Sequence, residues 1–210
     1  MPKLFTGFGF LFQDGGIEMK SKVEVRKQML STMKNFSSEQ YEKKSKQVIQ
    51  RLLSSEFYKQ SHTIGVTISR FPEVDTRQFI EQAWKDGKRI AAPKCIPATR
   101  EMDFRFITSW ADVTSDYMDL LEPTVSRTKQ AIKDDIDLQI VPGVLFSDEG
   151  FRVGFGGGYY DRYLAHFTGD TVAIAFNEQT GHELPVEQHD LPIGAILTDE
   201  DIIICRSDVK

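Results

Sequence analysis

Three short stretches decide the fold: Thr63-Ile64-Gly65-Val66-Thr67-Ile68, then Phe79-Ile80-Glu81-Gln82-Ala83-Trp84, then Arg89-Ile90-Ala91-Ala92. The first and third are brief apolar and β-branched runs of the kind that form buried strands. The second places Phe79, Ile80, Ala83 and Trp84 at helical spacing, opens at Asp75 or Thr76, and stops at Gly87. A strand, a helix and a strand in that order are what a parallel sheet with crossover helices produces.

On the N-terminal side, Ser21-Lys22-Val23-Glu24 has the spacing of a capping box, so a helix is predicted to begin there. Val25, Met29, Leu30 and Met33 give it one apolar stripe, and Lys22 and Arg26 project together beside that stripe. Ser37 to Gln40 forms a second cap, and Tyr41, Val48, Leu52 and Phe57 continue a helical period to about residue 58. On the C-terminal side, Phe104 to Ile107, Leu138 to Phe146 and Thr171 to Phe176 are predicted strands, Ala195 to Cys205 holds one or two more, and Tyr159 to His166 is a short helix. Residues 112 to 133 carry turn signals at Pro123 and Ser126 but declare no element. The predicted architecture is a three-layer α/β domain with a mostly parallel sheet flanked by helices, preceded by an N-terminal helix pair.

With 210 residues and 40% hydrophobic content, the chain supports one sizeable core. A net charge of -5 argues against a surface that tracks nucleic acid phosphates. No apolar run reaches the roughly 18 to 20 residues needed to cross a bilayer. Cys95 and Cys205 are too few for a disulfide framework or a zinc site, so both are expected as free thiols of a cytoplasmic protein. Leu4 to Phe12 is apolar, yet only Lys3 precedes it, two glycines interrupt it and no small-residue cleavage site follows. Residues 1 to 18 are therefore expected to be an extension outside a single domain spanning residues 19 to 210.

The chemistry concentrates between Val141 and Arg162. There Val141-Pro142-Gly143 leaves a strand, Ser147-Asp148-Glu149-Gly150 turns, and Gly154, Gly156, Gly157 and Gly158 precede a helix start. Glycines let backbone amides approach a ligand, and a helix N-terminus adds a positive dipole end, so the stretch suits phosphate. Arg152 can form charge-assisted bonds to phosphate oxygens, and Asp161 offers the hard oxygen that magnesium prefers. The spacing is neither the GxGxxG of dinucleotide sites nor a P-loop ending in Gly-Lys-Ser/Thr. Glycine content alone also fits a tight turn before a helix.

From Ser21 to about Thr198 the sequence resembles the 5-formyltetrahydrofolate cyclo-ligase family, also called 5,10-methenyltetrahydrofolate synthetases. The resemblance rests on the Phe-Ser-Asp-Glu-Gly turn with Arg-Val-Gly-Phe-Gly-Gly-Gly-Tyr-Tyr-Asp-Arg after it. Lys22-x-x-x-Arg26, Phe71-Pro72-Glu73-Val74-Asp75-Thr76 and Pro185-Val186-Glu187-Gln188-His189-Asp190 support it in the same order. It implies an enzyme that closes 5-formyltetrahydrofolate, with or without a polyglutamate tail, to the methenyl form using ATP and Mg2+. By that resemblance Lys22, Arg26 and Arg152 are catalytic. ATP is held by these three together with Val153, Gly154, Phe155, Gly156, Gly157, Gly158, Tyr159 and Tyr160. The folate meets Ile68, Glu73, Phe155, Gly156, Gly157, Gly158 and Tyr159, while Asp161 and Asp190 match positions associated with the metal. Val153 stands where leucine is usual, and Phe155 where members vary. A monomer is expected, with no nucleic acid or membrane partner.

Taken singly, these residues are less telling. Lys22 and Arg26 suit a solvated helix face, Glu73 a loop carboxylate, Asp190 a turn cap, and Tyr159 and Tyr160 a core with at least one ring facing inward. His62, His166, His182 and His189 lack metal-ligand spacing, and no Gly-x-Ser-x-Gly elbow marks a hydrolase. Two other classes stay open: a folate-sequestering protein with little turnover, and an α/β enzyme handling a phosphosugar or CoA.

Overall fold

The computed structural model describes residues 21–115 and 120–205, so the expectation for residues 1 to 18 lies outside the described residues. The described residues open with three helices, α1 (Lys22–Lys34), α2 (Ser38–Ser54) and α3 (Glu56–Gln60). Strand β1 (Thr63–Gly65), helix α4 (Arg77–Lys85), and strands β2 (Arg89–Ile96) and β3 (Glu101–Ile107) follow. A small hairpin, β4 (Val113–Ser115) with β5 (Leu121–Pro123), and the short β6 (Lys129–Gln130) occupy the stretch that declared nothing in sequence. Then come β7 (Leu138–Ile140), β8 (Leu145–Phe146), β9 (Arg152–Val153), α5 (Tyr159–Leu164), β10 (Asp170–Ile174), β11 (Ala195–Leu197) and β12 (Ile202–Ile204).

Eight strands form one sheet in the order β12-β11-β10-β7-β1-β2-β3-β6. The pairs from β11 through β2 are parallel, and β12, β3 and β6 add antiparallel edges. The chain first builds outward from β1 through β2 and β3, then returns to β7 on the other side of β1 and builds the opposite way. The order therefore reverses between β1 and β7, and α/β sheets open a crevice for ligands at the carboxyl ends of such strands.

Strand residues alternate between two cores, as a period of two requires. Ile64, Ile90, Leu138, Val172 and Leu197 pack with Met33, Leu52 and Phe79 of α1, α2 and α4. Ala91, Ala173 and Ile196 face Phe146 of β8 and Tyr163 and Leu164 of α5. Both predicted helix caps form, each as a capping box: Ser21 and Glu24 exchange side-chain and backbone bonds, as do Ser37 and Gln40.

Two predicted elements are divided in the structure. The helix expected to run to residue 58 stops at Ser55, whose backbone is extended and whose hydroxyl donates to Leu52 O while accepting from Tyr58 N, ending one helix and starting the next. The strand expected from Leu138 to Phe146 breaks at Pro142-Gly143, because proline has no N–H for the ladder. Val141 N–H still donates to Val172 of β10, whereas Val144 N–H donates to Val153 of β9. The chain thus leaves the main sheet and forms the β8–β9 hairpin that presents the glycine-rich stretch.

Candidate active site

Two features lie at the carboxyl edge of the sheet. The first is a notch at the ends of β1, β7 and β10, lined by Val66, Thr67, Ser69, Glu73, Thr76, Pro142 and Gln179 among others. Its free space is about 30 Å³, far below the several hundred Å³ of a cleft that encloses a ligand. The 67–76 loop forming one wall is closed on itself. Ser69 N–H donates to Thr76 Oγ1 and Thr76 N–H donates to Ser69 Oγ, both at 2.9 Å. Tyr41 of α2 donates to the Glu73 carbonyl at 2.8 Å and so ties this wall to the N-terminal helices. Among the described residues the Glu73 carboxyl accepts one long bond, from Arg70 N–H at 3.3 Å, and burial pushes its pKa up to about 7. Ile68 is buried in the core beside the notch.

The second feature is the loop after β9. Gly156 (φ 98°) and Gly158 (φ 65°) adopt left-handed backbone that side chains disfavour, which explains the glycines there. Among the described residues, no backbone N–H from Phe155 to Gly158 donates to another residue, so these amides remain available to an anion. Helix α5 has only six residues, so its dipole adds little, and the amides and nearby cations dominate. Arg26 reaches across from α1: its Nε donates to Gly154 O at 2.6 Å, and its guanidinium lies against Gly156. Lys22, one turn earlier, donates to Asp190 Oδ2 at 2.7 Å. Burial opposes the charged form of Asp190, but bonds from Lys22 and from Glu187 N–H outweigh it and hold the carboxyl below its usual range. The fold therefore gathers Lys22, Arg26, the glycine loop and the 187–191 turn.

Arg152, expected to bond phosphate oxygens, is already engaged within the protein. Its side chain is only 4% exposed, and its guanidinium donates to Asp161 Oδ1 at 2.6 Å and to Leu191 O at 2.9 Å. Val153 beside it is buried in the core. Phe155 projects outward, half exposed, while the Tyr159 ring lies against Gly157. Tyr160 is the inward-facing tyrosine: its hydroxyl meets Thr67 Oγ1 at 2.7 Å, at the wall of the notch.

Of the two carboxylates expected at the metal, Asp161 pairs directly with Arg152 and Asp190 with Lys22, while the charge of Asp190 also favours the charged form of the Arg152 guanidinium. Among the described residues no group of three or more His, Cys, Asp or Glu side chains is placed to hold an ion. Two carboxylates without a cage nevertheless fit magnesium, which is usually held by one or two carboxylates with phosphate oxygens and water completing its shell. Three residues given no role in the sequence reading lie at these two features. Tyr41 holds Glu73, Thr67 holds Tyr160, and Arg162 donates to Gly157 O at 2.8 Å. Arg162 ends the glycine motif and was legible there; Tyr41 and Thr67 carry no local signal.

A sheet whose order reverses beside a notch and an amide-rich loop, with cations brought to that loop from a distant helix, is the architecture of an α/β enzyme with its site at the carboxyl edge. Residues 18–199 match the sequence profile of the 5-formyltetrahydrofolate cyclo-ligase family. A 5-formyltetrahydrofolate cyclo-ligase from Escherichia coli K12 is 30% identical over 171 residues, covering 80% of this chain and 94% of that one. The mouse 5-formyltetrahydrofolate cyclo-ligase is 28% identical over 196 residues, covering 86% and 94%. The solution structure of the Aquifex aeolicus 5,10-methenyltetrahydrofolate synthetase superposes with a TM-score of 0.79 at 30% identity, covering 90% of this chain and 95% of that one. The chain belongs to the 5-formyltetrahydrofolate cyclo-ligase family, a family of enzymes. None of its helices, among the described residues, is long and apolar enough to cross a membrane. Cys95 and Cys205 are free thiols.

Proposed function

We propose that this chain catalyses the ATP-dependent cyclisation of 5-formyltetrahydrofolate to 5,10-methenyltetrahydrofolate, releasing ADP and phosphate. Membership of the family supports the reaction class. The observation that carries the site assignment is that Lys22 and Arg26 meet residues 168 and 128 positions away, at Asp190 and Gly154. They thereby assemble a cationic, amide-rich loop near the notch that holds Glu73.

The reaction must expel the formyl oxygen, an amide oxygen and a very poor leaving group. In the proposed sequence the formyl oxygen attacks the γ-phosphorus and the bond to ADP breaks, which gives an imidate phosphate. N10 then attacks the formyl carbon, the carbon–oxygen bond breaks, phosphate departs, and the N10 proton is released as the methenyl cation forms. Such chemistry asks a protein mainly for alignment and charge neutralisation. Lys22, Arg26 and the amides from Phe155 to Gly158 are the groups we assign to the phosphates. Arg152, engaged on both sides, supports them by holding Asp161 and the 187–191 turn. Asp161 and Asp190 are the residues we assign to magnesium, which when bound supplies further charge neutralisation at the phosphates. Glu73 is assigned to N–H donors of the pterin. Its raised pKa of about 7 leaves it partly protonated near neutral pH, and donated hydrogen bonds would favour the carboxylate. Phe155 and Tyr159 offer ring faces at the loop.

Incubation with 5-formyltetrahydrofolate tests the proposal, because the methenyl product is a conjugated cation that absorbs in the near ultraviolet. Absorbance that develops only when Mg-ATP is present supports it. Folate binding without such absorbance points to sequestration, and absence of both refutes the reading.

A further inference from the structure

We propose that the hydrogen bond between Tyr160 and Thr67 couples the nucleotide loop to the folate notch, making Tyr160 a positioning residue; the proposal rests on the cyclo-ligase reading above. Tyr160 is the second residue of α5, two positions after Gly158 at the helix cap, so a ligand that shifts the glycine loop and the helix start with it would shift this side chain too. Tyr160 is half-buried, and its hydroxyl meets Thr67 Oγ1 at 2.7 Å. Thr67 follows β1 and lines the notch. The Thr67 carbonyl in turn accepts from Thr76 Oγ1 at 3.0 Å, and Thr76 closes the 67–76 loop through its paired bonds with Ser69. Glu73 rides on that loop. The path from phosphate to pterin is therefore one side-chain bond followed by a hydrogen-bonded loop. Thr67, Ser69 and Glu73 form one wall of the small notch, so a ligand that displaces this wall also loads the Thr67–Tyr160 bond.

Coupling between two sites is a ratio of affinities, and it is reciprocal. Calorimetry of the full chain should measure the Kd for 5-formyltetrahydrofolate with and without a saturating non-hydrolysable ATP analogue. The ratio cancels whatever a substitution does to either affinity alone. In the unmodified chain the ratio should be fivefold or more. In Tyr160→Phe and in Thr67→Val it should fall to within twofold of unity, with no further fall in the double variant because both remove the same bond. Thr67→Ser keeps the hydroxyl and should restore the ratio, which a general loosening of the fold would not. A ratio of one in the unmodified chain, or an undiminished ratio in the Phe and Val variants, overturns the coupling while leaving the cyclo-ligase reading intact. Failure of the unmodified chain to bind either ligand overturns both.

Discussion

Replacing Arg152 by alanine should lower stability and nucleotide affinity together. The side chain is 4% exposed and its guanidinium makes two bonds, one to Asp161 and one to Leu191 O. Alanine leaves that carbonyl unpaired and the Asp161 carboxylate without its partner. Breaking a buried ion pair costs about 3–5 kcal/mol, but Asp161 is 25% exposed and regains some water, which brings the expectation to roughly 2–3 kcal/mol. For a chain of this length that is a fall in Tm of about 5–10 °C. Lysine keeps the charge but lacks the fork that spans both acceptors, so Arg152→Lys should lose about half as much. Thermal unfolding followed by circular dichroism reads the stability, and the near-ultraviolet assay reads the ATP KM, which should rise as the loop and the 187–191 turn loosen. A Tm within 2 °C of the unmodified chain would refute the clamp, and unchanged kinetics would remove Arg152 from the nucleotide site.

Glu73→Ala should weaken 5-formyltetrahydrofolate binding about ten- to hundredfold, the cost of leaving donors of the ligand unpaired; ATP affinity measured separately should stay within a few-fold, and equal losses would indicate a structural role. The raised pKa of Glu73 also has a consequence for stability. The folded form binds the proton more tightly than the unfolded chain between about pH 4.5 and 7, so this residue makes stability fall as pH rises through that window. Glu73→Gln should therefore gain more over the unmodified chain at pH 7.5 than at pH 4.5 in urea unfolding, and an equal effect at both would contradict the burial. Gly156→Ala places a side chain at φ 98° but only in ordinary contact with Arg26, so a cost of about 1–2 kcal/mol is expected from backbone strain, read as a raised ATP KM. Asp161→Asn should shift the magnesium concentration needed for half activity upward, and an unchanged titration would take Asp161 out of the metal site.

Much of this protein was legible in its sequence because the signals were local. Capping boxes at Ser21 and Ser37 involve residues three apart, a period of two or 3.6 declares strand or helix, and the glycine loop carries its requirement for left-handed backbone in its own composition. The sheet class followed from the β1, α4, β2 order. What the local pattern misjudged were continuity and exposure. An apolar run from Leu138 to Phe146 reads as one strand, and only the change of partner from β10 to β9 reveals two. Arg152 reads as a free cation at a loop entrance, and only the return of Asp161 and Leu191 to its side makes it a buried clamp. The bonds from Lys22 to Asp190, Arg26 to Gly154, Tyr41 to Glu73 and Thr67 to Tyr160 join residues 32 to 168 positions apart. No period or motif encodes such pairs, because their partners become neighbours only when the sheet reverses its order at β7 and brings the glycine loop back toward the N-terminal helices.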